Sequence, residues 1–152
     1  MKDQAMAELR KATIEDIPAI MEIEWKCFLE DSFSKEQFVY LITRSKGDFY
    51  VVIQQKQVVA YITLLFHQRT RYLRVYSIAV HPDFQGQRLG QLLMEQSVQT
   101  AKAYGADKIT LEVKVGNRAA ISLYQKNGFT PEGVKPAYYH DGSDALYMQR
   151  TL

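Results

Sequence analysis

The chain has 152 residues, of which 47% are hydrophobic and 24% charged, with a formal net charge of +2. This length predicts one domain spanning residues 1–152 with a single core, and the small charge argues against a nucleic-acid-binding surface. One cysteine, no signal-peptide pattern and no apolar run of membrane-spanning length favour a cytoplasmic protein without a membrane partner.

The first half of the chain predicts a short strand, two helices and a β-meander. The first helix begins between Thr13 and Pro18, where Thr13 and Asp16 have the spacing of a capping box. Ser34 with Gln37 repeats that pattern for the second helix. The predicted strands are rich in β-branched and aromatic residues and comprise Glu8–Thr13, Phe49–Gln54, Val58–Phe66 and Tyr72–Val80.

The second half alternates between helices and strands. Leu89–Tyr104 has helical periodicity and ends at Gly105, a residue type typical of helix C-termini. The remaining predicted elements are the strand Lys108–Val115, the short helix Asn117–Lys126, and two strands, Phe129–Glu132 and Ala145–Thr151, around the loop Gly133–Asp144.

The order of these elements predicts an α+β fold. Strand, helix and strand over residues 72–115 predict a right-handed crossover between parallel strands, whereas the earlier hairpins predict antiparallel pairing. We therefore expect a mixed, mostly antiparallel twisted sheet of about seven strands with helices on both faces.

Residues 74–90 run from a strand through a loop directly into a helix. The strand ends at His81, and the loop contains Gly86 and Gly90. The free N–H groups and partial positive charge of a helix start suit a phosphate. The loop lacks the P-loop lysine and the dinucleotide fingerprint, so by itself it equally predicts an ordinary strand-to-helix turn.

A second set of polar residues follows in the next strand and helix. Glu112 points away from Leu111 and Val113 because side chains alternate along a strand, which is compatible with a surface position or a cleft. Asn117 and Tyr124 share one side of the short helix, where they equally suit an N-cap and a core tyrosine. The three histidines lie far apart, so no metal site is predicted.

Three motifs occur in a fixed order in this half of the chain. They are Ile78-Ala-Val-His-Pro-Asp-Phe-Gln-Gly-Gln-Arg-Leu-Gly, Leu111-Glu-Val, and Asn117-Arg-Ala-Ala-Ile-Ser-Leu-Tyr-Gln-Lys-Asn-Gly-Phe. Together they resemble the GNAT superfamily of acetyl-CoA-dependent N-acetyltransferases. The closing Tyr138-Tyr-His-Asp-Gly-Ser-Asp-Ala-Leu-Tyr-Met resembles the subgroup that acetylates protein N-termini.

The resemblance implies that the two parallel central strands splay apart and that acetyl-CoA binds in the gap between them. The implied cofactor-binding residues are Ile78, Ala79 and Val80 for the pantetheine arm, Gln85, Gly86, Gln87, Arg88, Leu89, Gly90 and Gln91 around the pyrophosphate, and Asn117 and Tyr124 beyond them.

The resemblance also implies direct transfer without a covalent enzyme intermediate. An α-amino group has a pKa of about 8 and is mostly protonated at neutral pH, so a base must act on it, and Glu112 is implied as that general base. A backbone N–H near Val80 would stabilise the oxyanion. Tyr124 would be the general acid that protonates the departing thiolate.

For the acceptor, the implied binding residues are Phe28, Glu30, Tyr138 and Tyr139. Glu30 and the adjacent Asp31 would suit a cationic amine and equally suit a solvated loop. The expected acceptor is the N-terminus of a protein or peptide, and the alternative is a lysine, a polyamine or another small amine. A non-catalytic acyl-CoA-binding regulatory module is an alternative of another class, and both a monomer and a homodimer stay open.

Arg88 departs from the family's phosphate loop, which has a glycine at this position. Glycine adopts backbone dihedrals that other residues rarely reach, so Arg88 must do without that freedom or the loop must shift. Its guanidinium could instead add a phosphate contact. We therefore expect acetyl-CoA binding to be retained.

Overall fold

The structure is a computed structural model that describes residues 7–44 and 47–152, so most of the N-terminal segment searched for a signal peptide lies outside the described residues. Within these ranges the chain forms seven strands and four α-helices. They are β1 (Glu8–Lys11), α1 (Ile17–Phe28), α2 (Lys35–Thr43), β2 (Gly47–Gln54), β3 (Gln57–His67), β4 (Tyr72–Val80), α3 (Leu89–Tyr104), β5 (Lys108–Lys114), α4 (Arg118–Lys126), β6 (Thr130–Lys135) and β7 (Ala145–Thr151).

All seven strands belong to one sheet in the order β1-β2-β3-β4-β5-β7-β6. Neighbouring strands are antiparallel except β4 and β5, which are parallel and are joined through α3. The prediction of a mixed, mostly antiparallel sheet is thus confirmed.

Helices cover both faces of this sheet. One apolar cluster packs α3 and α4 against the sheet and contains, among others, Leu89, Leu93, Ile109, Leu111, Val113 and Phe129. The other packs α1 and α2 against the opposite face and contains Ile17, Ile20, Ile23, Phe38, Leu41, Phe49, Val51, Tyr61 and Ala79. A side chain of β5 therefore faces one cluster or the other, depending on its position along the strand.

Local signals fix several boundaries. Asp16 accepts a hydrogen bond from the Thr13 N–H at 2.8 Å, and Ser34 and Gln37 form the predicted capping box. The turn between β2 and β3 has Gln55 and Lys56 at φ of 53° and 63°, as a two-residue type I′ hairpin requires.

Other boundaries differ from the prediction. The strand β1 ends at Lys11 and β5 ends at Lys114, a little earlier than expected. The largest difference is β6, which runs to Lys135 because it pairs with β7 as far as Lys135↔Ala145. Gly133–Lys135 therefore belong to a strand, and the loop before β7 covers 136–144.

Candidate active site

The gap between β4 and β5 begins where their pairing stops. The parallel register runs from Tyr72↔Lys108 to Arg74↔Thr110 and goes no further. Just beyond, Thr63 of β3 pairs with Ser77 and Leu64 pairs with Val75, so Tyr76 is an extra residue in β4. Such a β-bulge bends its strand and accounts for the separation of β4 from β5.

Two residues of β4 present backbone groups to this gap. The His81 N–H donates to the Val59 carbonyl at 2.8 Å, so the backbone of His81 faces β3. Because successive residues of a strand direct their N–H groups to opposite edges, Val80 and Ile78 direct theirs toward the gap. Ala79, which was implied as a third backbone contact, faces β3 instead.

The loop after β4 has two left-handed residues. Gly86 has φ 82°, and Arg88 has φ 64° and ψ 22° as the residue that precedes α3. Arg88 thus adopts the conformation for which glycine is preferred, at a cost of about 1 kcal/mol. The loop does not shift to avoid it, and no side chain caps the first turn of α3.

Residues of this loop and of the first turn of α3 contact neighbouring elements. Gln87 accepts a hydrogen bond from the Gln54 side chain at 2.9 Å, and the Gln91 and Asn127 side chains bond to each other at 2.8 and 3.0 Å. A Cβ added to Gly90 would lie 3.0 Å from Leu123 Cδ2, so this glycine permits close packing of α3 on α4. The Gln85 side chain donates to the Val80 carbonyl at 3.4 Å.

Glu112 lies two residues beyond the last β4–β5 pair, at the start of the gap. Its side chain is 8% exposed, so the interpretation as a surface glutamate is wrong. Arg74 Nη2 and Nε donate to Oε1 at 3.0 and 3.3 Å, while Lys135 Nζ lies 2.6 Å from Oε2. Both oxygens of this carboxylate are therefore engaged by cations.

Tyr124 is buried in α4 with 6% exposure and packs near Phe129. Burial, reinforced by the neighbouring Tyr139, raises the pKa of Tyr124 above its ordinary value. Its hydroxyl therefore carries its proton at neutral pH, as a proton donor must. Asn117 caps the same helix, because its Oδ1 accepts from the Ala120 N–H at 3.2 Å.

Tyr139 is near enough to both candidate catalytic residues to interact with them electrostatically. Burial raises its pKa to about 12, with further contributions from Tyr138 and Glu112. Since Tyr139 also influences Tyr124, it interacts electrostatically with both Glu112 and Tyr124. The structure thus brings together residues that are far apart in sequence.

The two segments expected at the acceptor entrance contact each other. Asp31 Oδ1 accepts from the His140 N–H at 2.9 Å, and Asp31 also lies 3.6 Å from Lys114 Nζ. This carboxylate is thus engaged, whereas Glu30 is exposed. Tyr138 is 44% exposed, and its hydroxyl accepts from Arg74 at 3.3 Å.

Phe28 is half-buried at the end of α1 and packs against the apolar cluster of α1 and α2, and a buried network lies one turn earlier in the same helix. Glu24 is 2% exposed, and its carboxylate accepts hydrogen bonds from the Tyr61 hydroxyl, the Ser77 hydroxyl at 3.2 Å and the Phe33 N–H at 2.9 Å. Burial raises the pKa of Glu24, and these hydrogen bonds oppose the rise.

Sequence reasoning missed this network and the two cations on Glu112. A carboxylate on the apolar face of α1 was the available signal for Glu24. Neither cation could be identified from sequence, because Arg74 and Lys135 approach Glu112 only through the pairing of strands.

The cysteine and the potential metal ligands of the described residues have the following surroundings. Burial, together with Glu24, raises the pKa of Cys27, so its thiol is a poor nucleophile. Residues 7–44 and 47–152 contain no group of three or more metal-ligating side chains. In the same ranges, no helix combines the length and apolar character needed to cross a membrane.

Comparisons with known proteins match most or nearly all of the chain. A family model described as "Acetyltransferase (GNAT) family" matches residues 17–129. A putative [ribosomal protein bS18]-alanine N-acetyltransferase of Bacillus subtilis is 32% identical, with 96% of each chain covered. An N-alpha-acetyltransferase of Saccharolobus solfataricus is 33% identical, with 95% of this chain and 92% of the relative covered.

Two solved structures have the same fold over nearly the whole chain. The ribosomal-protein-S18-alanine N-acetyltransferase of Escherichia coli superposes with a TM-score of 0.85 at 27% identity, covering 96% of this chain and 94% of that one. Ard1 of Thermoplasma volcanium superposes with a TM-score of 0.89 at 26% identity, covering 96% and 97%.

Proposed function

The chain belongs to the GNAT acetyltransferase family, and we propose that it acetylates the N-terminal α-amino group of a protein or peptide. As a member of this family it is an acyltransferase with acetyl-CoA as donor, so the non-catalytic module is set aside. Two relatives above 30% identity over nearly the full chain are named for acetylation of protein N-termini, which supports this acceptor over a small amine.

The observation that carries the proposal is the position of Glu112 at the start of the β4–β5 gap. There a desolvated carboxylate already binds an ammonium group, that of Lys135, at 2.6 Å. A general base must lie within about 2.6–3.2 Å of the group that it deprotonates, directly or through one water. This position supports Glu112 as the group that would receive the proton of an acceptor amine.

We assign the donor to the gap and to the loop that follows it. The N–H groups of Ile78 and Val80 would pair with the pantetheine arm, and one of them would face the thioester oxygen. The first turn of α3, from Leu89, together with Gly86 and the guanidinium of Arg88, would bind the pyrophosphate. Bound acetyl-CoA supplies the activated acetyl group.

Burial and exposure support the remaining roles that we propose. Tyr124 would donate its proton to the departing thiolate, since its raised pKa keeps the hydroxyl protonated. Tyr138 and Tyr139 would contact the acceptor backbone beside Glu30 and Phe28. Cys27 takes no part, because burial raises its pKa.

Two substitutions test these assignments. Glu112→Gln and Tyr124→Phe should each lower turnover about 10²–10⁴-fold, while acetyl-CoA affinity measured by calorimetry changes little. Glu132→Gln, whose side chain bonds to the Thr130 hydroxyl, and Tyr104→Phe, which stacks on Phe66, are matched controls outside the site. Unchanged turnover in both site variants would place the chemistry elsewhere.

The acceptor is tested separately with a peptide library degenerate at its N-terminus. Products are identified by mass spectrometry, in parallel with lysine and polyamines as acceptors, and CoA release is followed in each reaction. Acetylated peptide N-termini are the expected result. Turnover of small amines without any peptide product would overturn the proposed acceptor while leaving the acetyltransferase assignment intact.

A further inference from the structure

Lys135 reaches the candidate base from two strands away. It ends β6, where it pairs with Ala145 of β7, while Glu112 of β5 pairs with Tyr147 on the other side of β7. The lysine side chain crosses this intervening strand, with Nζ 5.1 Å from the Tyr147 ring centroid and 5.7 Å from that of Tyr138. The ammonium thus lies among two aromatic rings and a carboxylate.

The two cations on Glu112 differ in what they can do. Arg74 contacts Oε1 through a guanidinium, which stays protonated and therefore cannot act as a nucleophile toward the acetyl group. Lys135 contacts Oε2 through a primary amine, which becomes a nucleophile once it loses a proton. Among residues 7–44 and 47–152, no other lysine amine pairs with this carboxylate.

The place occupied by Lys135 Nζ is the place that the proposed function assigns to the acceptor nitrogen. If Glu112 deprotonates the acceptor, that nitrogen must come within hydrogen-bond reach of one of its oxygens, and Oε2 already has such a partner. From this coincidence, and resting on the proposed function, we propose that Lys135 is an intramolecular acceptor that the protein acetylates in its own active site.

The transfer balances without any further reactant. The Lys135 ammonium gives one proton to Glu112, and its lone pair then forms a bond to the carbonyl carbon of the acetyl thioester. The carbon–sulfur bond breaks, and the departing thiolate takes the hydroxyl proton of Tyr124. The acylated nitrogen then gives up its second proton, which restores the Tyr124 hydroxyl. The products are Nε-acetyl-Lys135, CoA with a free thiol, and one proton released to solvent.

Self-acetylation and turnover of an external acceptor exclude each other within one molecule. Both amines need Oε2, and the acetylated side chain can no longer form the ion pair that holds it there. An acceptor peptide should therefore protect Lys135 in proportion to its occupancy of the site. Because the lysine is tethered, its reaction should proceed at a rate per molecule that does not depend on protein concentration.

Lys114 provides a matched comparison within the same protein. Its side chain is 40% exposed, against 45% for Lys135, and it also lies over a tyrosine ring and pairs with carboxylates. Its partners are Asp31 and Asp141 rather than Glu112. Chemical acetylation by free acetyl-CoA should therefore affect the two lysines similarly, and catalysed acetylation should separate them.

The experiment incubates the full chain with acetyl-CoA alone and maps acetyl groups by mass spectrometry of proteolytic peptides. We expect Lys135 to be acetylated at least about tenfold faster than Lys114, at the same rate per molecule in dilute and concentrated protein. The excess at Lys135 should disappear in Glu112→Gln and in Tyr124→Phe, and total acetylation should fall in Lys135→Arg.

Three results would overturn the inference: equal rates at Lys135 and Lys114, an excess that persists in both site variants, or a rate that rises with protein concentration. The peptide-library assay is run on the same preparations. Peptide acetylation by a preparation whose Lys135 stays unmodified with acetyl-CoA alone would reject self-acetylation and leave the proposed function standing. Inactivity toward every acceptor, Lys135 included, would reject both.

Discussion

Replacing Glu24 with alanine should destabilise the fold by about 2–4 kcal/mol. The substitution removes the acceptor of three hydrogen bonds, from Tyr61, Ser77 and the Phe33 N–H. The two hydroxyls lie 3.0 Å apart and can satisfy each other in one direction, so one hydroxyl proton and one N–H lose their partner. Each orphaned donor costs about 1–3 kcal/mol, and relief of the buried carboxylate offsets part of the total.

Urea unfolding measures this loss as a shift of the midpoint at constant slope. Glu22→Ala in the same helix is the control, because Glu22 is 58% exposed, pairs with Lys26 at 3.2 Å and lies 3.7 Å from His81 Nε2 at the surface. Its free energy of unfolding should stay within about 0.5 kcal/mol of the wild type. A Glu24→Ala protein that is equally close to the wild type would refute the assigned role of the network.

The same carboxyl predicts how the difference depends on pH. Burial raises the pKa of folded Glu24, whereas the unfolded group titrates at about 4.3. The folded state therefore binds more protons between these two values, and the unfolding free energy falls as pH rises there. The stability of the wild type relative to Glu24→Gln should be highest below the unfolded pKa and decline through the folded pKa. A difference that grows with pH would contradict the sign.

Three further substitutions probe the packing of α3 on α4, the loop before α3 and the cap of α2. Gly90→Ala should lower the free energy of unfolding by about 1 kcal/mol, since its Cβ would lie 3.0 Å from Leu123 Cδ2. An unchanged free energy would mean that Leu123 moves aside at little cost. Arg88→Gly should stabilise the fold by about 0.5–1 kcal/mol by relieving the left-handed conformation, with acetyl-CoA affinity retained in calorimetry; lost affinity would make the guanidinium the main phosphate contact. Ser34→Ala should cost about 1 kcal/mol through its lost cap on Gln37, and an unchanged urea midpoint would argue against it.

The elements that could be predicted from sequence are those with local signals at both ends. Tyr72–Val80, Leu89–Tyr104 and Ala145–Thr151 match the structure to the residue, because periodicity, a glycine cap and turn residues lie within a few positions. The end of β6 could not be predicted, since Lys135 becomes a strand residue through its pairing with Ala145.

The candidate site divides in the same way. The outward direction of Glu112 follows from strand alternation alone, and Asn117 caps its helix as its residue type predicts. The surroundings of Glu112 depend instead on tertiary pairing. The parallel register of β4 and β5 brings Arg74 to Glu112, and the pairing of β6 with β7 brings Lys135 to it. The sequence alone was compatible with a surface or a cleft position for this carboxylate, and in the structure two cations cover it.

A continuous set of contacts connects the buried carboxylate of α1 to the candidate base. Glu24 fixes the Phe33 backbone, and the Phe33 ring stacks on Tyr76 with centroids 4.8 Å apart. Tyr76 in turn lies under the guanidinium of Arg74 at 5.1 Å, and Arg74 donates to Glu112.

Because Tyr76 is also the bulged residue of β4, the same contacts support the bend that opens the gap. These contacts thus form one packed unit that connects the proposed acceptor entrance, the gap and the candidate base. A loss of the Glu24 network should therefore disturb acceptor binding and base geometry together rather than stability alone.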